Sequence, residues 1–244
     1  MPDIVWVKLP GGRFPIGGDE QAYDSLPAGE VELAALWMAK YPITNRQFQA
    51  FIEAADGYHQ GEWWQGLAQP KWEPVEPRFP YGNHPREGVN WYEAVAFCRW
   101  LSARLGYEVR LPREQEWERA ARGEEGRFFP WGPEYISGYA NIDETGGNVG
   151  HYYLRQTSAV GIYPQGATPE GVEELAGNVW EWTLTEWESG RSDELTSPAA
   201  RVLRGGSWNV NLVVARCGSR DGHFPGLSYF YFGFRLVSPV GAGS

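Results

Sequence analysis

Apolar positions fall at helical spacing in two long stretches, and each stretch opens on a capping pair. Thr44 and Gln47 stand three apart, and Phe48, Phe51, Ile52 and Ala55 follow in the i, i+3, i+4, i+7 pattern of a buried stripe. This predicts a helix that closes before Gly57. Asn90 and Glu93 repeat the device ahead of Trp91, Ala94, Val95, Cys98, Leu101 and Leu105, and Gly106 is the expected stop. After "VRLP", a shorter third helix is expected to turn Trp117, Ala120 and Ala121 inward and to end at Gly123.

Elsewhere the apolar runs are short. "IVWVKLPGGRFPI" at 4–16 reads as two strands around a Pro-Gly-Gly turn, and "VELAALWMAKYPI" at 31–43 as a further strand region. Residues 58–89 carry frequent Pro and Gly with Trp63, Trp64 and Trp72 among them, which reads as a long ordered loop. From 124 to 200, loops and short strands are expected. "RVLRGGSW" at 201–208 and "GFRLV" at 233–237 read as terminal strands enclosing an irregular stretch, 209–232. The class is α+β, with two main helices beside antiparallel strands and much irregular structure, and 1–244 reads as a single domain.

Composition sharpens this picture. The chain has 13 Trp, 31 Gly and 18 Pro in 244 residues, which suits many turns pinned by large aromatic anchors better than a helical bundle. A formal net charge of -10 argues against nucleic acid or an anionic membrane as partner, because both demand a positive surface. Cys98 and Cys217 are too few for a disulfide framework. No apolar run reaches membrane-spanning length and the first residues lack an export pattern, so a cytoplasmic or phage-associated location is expected, without membrane insertion.

Four segments, in order, carry a resemblance: "GVNWYEAVAFCRWLSARLG", "VRLPREQEWERAARG", "ELAGNVWEWT", and "VLRGGSW" with "GFRLV". Together they resemble the formylglycine-generating-enzyme (sulfatase-modifying factor) type of C-type lectin fold, over essentially the whole chain. The resemblance implies three possible roles: a sulfatase-activating oxidase, a domain of a sulfoxide synthase, or a variable protein of a diversity-generating retroelement.

The oxidase needs a copper-binding cysteine pair shortly after "RGGSW", yet "NVNLVVAR" at 209–216 holds no Cys and Cys217 stands alone. A sulfoxide synthase needs several His at an iron, whereas His59, His84, His151 and His223 lie far apart without ligand spacing. "GGNVG" at 146–150 lacks the context of a phosphate loop, and Ser207 is not in a nucleophile elbow. No catalytic residue is assigned.

The variable-protein reading makes a compositional prediction. Mutagenesis confined to adenines can convert an Asn codon into many residue types but never into Trp, Glu, Gln, Lys or Met. Those five types make up 51 of the 244 residues, yet 209–232 contains none, where roughly five are expected by composition. The resemblance therefore implies a retroelement-diversified ligand surface built from Val210, Val214, Ser219, Asp221, His223, Phe224, Leu227, Tyr229, Phe230 and Tyr231, with Arg216, Arg220 and Pro225 as scaffold. The partner implied is a protein or cell-surface ligand. The crowded aromatics of "LSYFYF" leave two readings open, a strand buried on both faces and an exposed contact surface, and Phe232 stands at the join. A surface that accepts almost any side chain must be supported elsewhere, and Trp91, Trp117, Trp180, Trp182, Trp208 and Phe234 are the expected anchors.

No cofactor is required on this reading. By resemblance, Glu174 and Glu181 with the carbonyls of Gly177 and Val179 form a structural calcium site, and the alternative is Glu181 hydrogen-bonded inside the core without metal. A second family calcium site keeps only Asn141 and Ile142, with Tyr152 near the position of the needed carboxylate, and is expected to be empty.

Overall fold

The capped stretches fold as their patterns demand. In the computed structural model, which describes residues 2–68 and 73–241 and so leaves Trp72 outside, α1 spans Asn45–Glu53. Thr44 and Gln47 cap it reciprocally, and Phe48 and Phe51 are buried. It ends two residues before the predicted stripe does, leaving Ala55 exposed beyond it. Backbone bonds from Gly57 N to Ala54 O and from Tyr58 N to Phe51 O fold the chain back. The Tyr58 ring then packs 5.5 Å from Phe51, on the core that Ala55 was expected to meet.

α2, Trp91–Leu105, has the reciprocal Asn90–Glu93 cap and stops at Gly106, whose φ of 76° is the left-handed closure that glycine adopts without strain. α3, Glu114–Arg122, buries Trp117, Ala120 and Ala121.

Three small sheets complete the α+β architecture among the described residues. β1 (Trp6–Leu9) pairs with β4 (Leu36–Ala39), and β4 pairs on its other edge with β9 (Val237–Ser238), so Met38 lies between Val7 and Val237. β2 (Gly12–Ile16) pairs instead with β3 (Gly29–Leu33). The two strands around the Pro-Gly-Gly turn are thus neighbours in sequence but belong to different sheets, and the 31–43 region is two strands rather than one.

The third sheet has the order β7-β6-β5-β8, from β5 (Trp180–Glu186), β6 (Arg201–Arg204), β7 (Arg220–His223) and β8 (Phe232–Gly233), with β8 parallel to β5. β7 corrects the expectation that 209–232 is wholly irregular. "RDGH" has poor strand propensity, but the free edge of β6 supplies a backbone partner, pairing Arg220 with Arg204 and His223 with Arg201.

The largest core cluster joins α1, α2, β5 and β8. Phe97 stacks on Phe48 at 5.6 Å and meets Phe234 edge-on at 5.5 Å. Trp91, Trp117, Trp180, Trp182, Trp208 and Phe234 are all buried, as expected of anchors. No helix among the described residues is long and apolar enough to cross a membrane.

Candidate ligand-binding surface

Two kinds of contact that do not depend on the outward side chains hold residues 209–232, although the rings of His223, Tyr229 and Tyr231 also pack on buried Phe232 at 5.0, 5.1 and 5.1 Å. The first is backbone hydrogen bonding to fixed elements: Asp143 N to Val210 O at 2.8 Å, Cys217 N to Phe128 O at 2.8 Å, Trp91 N to Pro225 O at 3.0 Å, Gly88 N to Tyr229 O at 3.1 Å and Trp180 N to Tyr231 O at 2.8 Å. Such bonds are indifferent to side-chain identity. Pro225 thereby also satisfies the first N–H of α2, one of the donors a helix leaves without an internal partner.

The second is a set of inward side chains. Arg216 forms a two-pronged pair with Asp19, Nε to Oδ2 at 2.7 Å and Nη2 to Oδ1 at 2.9 Å, beneath the surface. Arg220 Nε donates to Glu114 Oε1 at 2.8 Å, and Glu114 also accepts from Arg204 at 3.0 Å. Arg204 in turn reaches Glu118 and the Cys217 carbonyl. Phe232 is fully buried and packs edge-on to Trp182 at 5.2 Å, which places it in the core.

Ser219 was expected on the ligand surface and is instead fully buried. Its hydroxyl donates to Val213 O at 2.8 Å and accepts from Tyr23 N at 3.0 Å, so it clips the segment to the loop after β2. A hydroxyl with both partners satisfied in the interior holds the segment from within.

The other expected surface residues face solvent in varying degree. Phe224 is 66% exposed, and Tyr229 (38%) and Leu227 (36%) are also exposed. Asp221, His223, Phe230 and Tyr231 are half-buried. Asp221 Oδ2 lies 3.3 Å from His223 Nε2, and His223, Tyr229, Tyr231 and Phe230 form a continuous row of ring contacts, with Tyr229 and Tyr231 stacked at 5.4 Å. Val210 and Val214 stand apart from this row and lean on apolar clusters beneath.

The sequence reading missed the other side of the surface. Arg78 lies 4.5 Å from the Phe230 ring, and Phe79 and Tyr153 flank Trp208, which itself meets Phe230 at 6.0 Å. The signal available was aromatic–Arg alternation in two loops, "RFP" and "YYLR".

The two carboxylates expected to bind calcium both have partners within the protein. Both oxygens of Glu181 accept from Arg235, at 2.6 and 2.7 Å, and Trp117 Nε1 donates to it at 2.6 Å. The Glu174 carboxylate faces elsewhere, accepting from Gly161 N and Asn178 Nδ2, and burial pushes its pKa up to about 7. A calcium ion using Glu181 would compete for its oxygens with a fully buried guanidinium.

Candidate redox and metal side chains are likewise dispersed. Cys217 and Cys98 are both buried in different core clusters, and burial pushes the Cys217 thiol up to about 12. His84 Nδ1 lies 2.9 Å from Thr157 Oγ1, while His59 stands opposite Glu73 at the surface. Among the described residues no cluster of three or more His, Cys, Asp or Glu is arranged to hold a metal ion.

An α+β scaffold of the C-type lectin type, with a solvent-facing segment tied down by its backbone and by buried arginines, defines the class. The chain belongs to the sulfatase-modifying factor enzyme 1-like domain family, whose profile matches residues 1–240. It is 32% identical over 271 residues to the hercynine oxygenase of Mycolicibacterium smegmatis, covering 96% of this chain and 61% of that protein. It is 29% identical to the formylglycine-generating enzyme of Bos taurus, covering 97% and 75% respectively. The chain spans less than two thirds of the length of the curated relatives it matches first. Among solved structures, PvdO from Pseudomonas aeruginosa superposes with a TM-score of 0.76 at 24% identity, covering 96% of this chain and 94% of that one. Treponema denticola variable protein 1 superposes with a TM-score of 0.73 at 23% identity, covering 97% and 95%. Both likenesses are likenesses of fold.

Proposed function

We propose that the chain is a non-enzymatic ligand-binding protein whose 209–232 surface is diversified by a retroelement reverse transcriptase and selects a protein or cell-surface ligand. One observation carries this reading: apart from Val210 and Val214, which lean on apolar clusters beneath, the assigned residues of the segment divide by face. Arg216, Ser219, Arg220, Pro225 and Phe232 point inward, and Asp221, His223, Phe224, Leu227, Tyr229, Phe230 and Tyr231 are left at the surface. The framework bonds the segment mostly through its main chain, so the outward side chains can change while the fold stands. Absence of Trp, Glu, Gln, Lys and Met from the same window supports adenine-directed change.

A second reading, a diverged enzyme domain, is favoured by the identity to proteins named as a hercynine oxygenase and a formylglycine-generating enzyme. Against it stand the lone buried Cys217 and the scattered histidines. The family also holds a mouse protein named as an inactive formylglycine-generating enzyme, 29% identical over 98% of this chain.

The test is the flanking DNA and the population. Expected is a near-copy of the codons for 209–232 differing only at adenines, beside a reverse-transcriptase gene, and sequence variation among isolates confined to the outward codons. Variation spread evenly over inward and outward codons, with no such copy, would overturn the proposal.

A further inference from the structure

Trp208 is the hub of a ring cluster that the diversified segment only half supplies. Phe79 meets it edge-on at 5.7 Å, Tyr153 stacks on it at 6.3 Å and Phe230 tilts against it at 6.0 Å. Two of those three rings lie outside 209–232, on loops of otherwise unrelated sequence.

Each outer ring carries an arginine. Arg78 lies 4.5 Å above Phe230 and 5.7 Å from Phe79, and Arg155 lies 5.5 Å from Tyr153. Both arginines are exposed and make no ion pair among the described residues. In this chain most other arginines form ion pairs with Glu or Asp, and the formal net charge is -10, so two exposed guanidinium groups outside those pairs, Arg78 reaching Glu87 only through its longer-range field, stand out beside one aromatic patch. Arg155 also holds a left-handed backbone, φ 56°, a conformation costly for a non-glycine residue. Within the patch, the Trp208 indole N–H is buried and finds no acceptor, an unsatisfied donor of the kind native folds usually avoid.

Building on the display reading above, we infer that Arg78, Phe79, Tyr153 and Arg155, gathered on Trp208, form a fixed half of the binding surface, and that the partner it fits is a protein presenting carboxylates beside apolar groups. A guanidinium stacked on a ring keeps its planar fork facing outward, which suits two-pronged contact with a carboxylate. The rings beside it supply apolar area at low entropic cost. A phosphate polymer is disfavoured, because two arginines on a strongly acidic chain cannot build the broad positive surface that such a partner requires. The fixed half would bias every variant toward acidic, apolar epitopes, while the diversified half selects among them.

The test is selection of a random dodecapeptide library on the intact chain. Selected peptides are expected to be enriched in Asp and Glu next to aromatic or aliphatic residues. An Arg78→Ala/Arg155→Ala variant with an unchanged thermal melt is expected to bind them about tenfold or more weakly. Peptides without acidic enrichment, or binding unaffected by this pair but lost in Tyr229→Ser/Tyr231→Ser, would overturn the fixed half and leave the display reading standing. Binding insensitive to both pairs, or no peptide selected, would overturn both. Retention of a labelled DNA duplex through the two arginines, without acidic bias among the peptides, would reassign the site to phosphate and overturn the inference.

Discussion

Arg216 and Asp19 form a buried two-pronged ion pair with bonds of 2.7 and 2.9 Å, joining the middle of the solvent-facing segment to the loop after β2. The guanidinium also lies 4.5 Å from the Phe128 ring. Arg216→Ala would leave the buried Asp19 carboxylate without its counter-ion, while the Gln21 N–H bond at 3.2 Å remains. The expected loss is about 3–5 kcal/mol of stability, read from denaturant unfolding. A loss below about 1 kcal/mol would show that the pair does not hold the segment.

Outward positions should behave in the opposite way. Phe224→Ser, Leu227→Ser and Tyr229→Ser are each expected to change stability by no more than about 0.5 kcal/mol. Ser219, equally polar in sequence, should not tolerate exchange: Ser219→Tyr is expected to abolish folding, because the site is closed and both hydroxyl bonds are used. Thermal melts of the four variants separate the two groups, and equal melting of all four would contradict the division of the segment.

Calcium should have little hold on this fold. Arg235 already neutralises Glu181 where the metal would need its oxygens. The expected result is a melting temperature unchanged between excess calcium and excess EDTA. A calcium-dependent rise of several degrees would mean that the guanidinium moves aside.

Glu93 gives a signed pH dependence. Its carboxylate accepts from Asn90 N at 2.9 Å and from the Tyr58 hydroxyl at 2.8 Å, yet burial outweighs these bonds and holds its pKa above the ordinary 4.5. The folded state therefore keeps a proton that the unfolded state gives up. This contribution is complete below about pH 4.5 and is lost as pH rises through the folded value. Glu93→Gln can keep both contacts without a titrating proton, so the variant is expected to gain stability relative to the parent as pH rises through that window. Parallel stability–pH curves for the two proteins would refute this.

The helices were legible in the sequence because their signals are local. A cap pair at Thr44–Gln47 or Asn90–Glu93 and a glycine such as Gly106 act within one turn, so no distant partner need be known. The strands were located but not paired, since register and neighbour depend on what lies across the sheet. β7 was missed because "RDGH" becomes a strand only against the edge of β6.

For the surface, residue types in sequence pointed to the 209–232 window and its inward arginines, but not to which face each side chain takes. Ser219 and Tyr229 both satisfy the codon rule, and only packing makes the first a buried clip and the second an exposed ring. Arg78 and Tyr153 lie far from 209–232 in the chain, and the aromatic–Arg pattern around them does not say what they meet, so only the tertiary fold brings them to Trp208 and Phe230. What the sequence by itself determined was the local periodicity, the caps and the family pattern. What the tertiary structure decided was which charges pair, which polar groups are buried and which loops meet, because each of these depends on contacts between residues many positions apart.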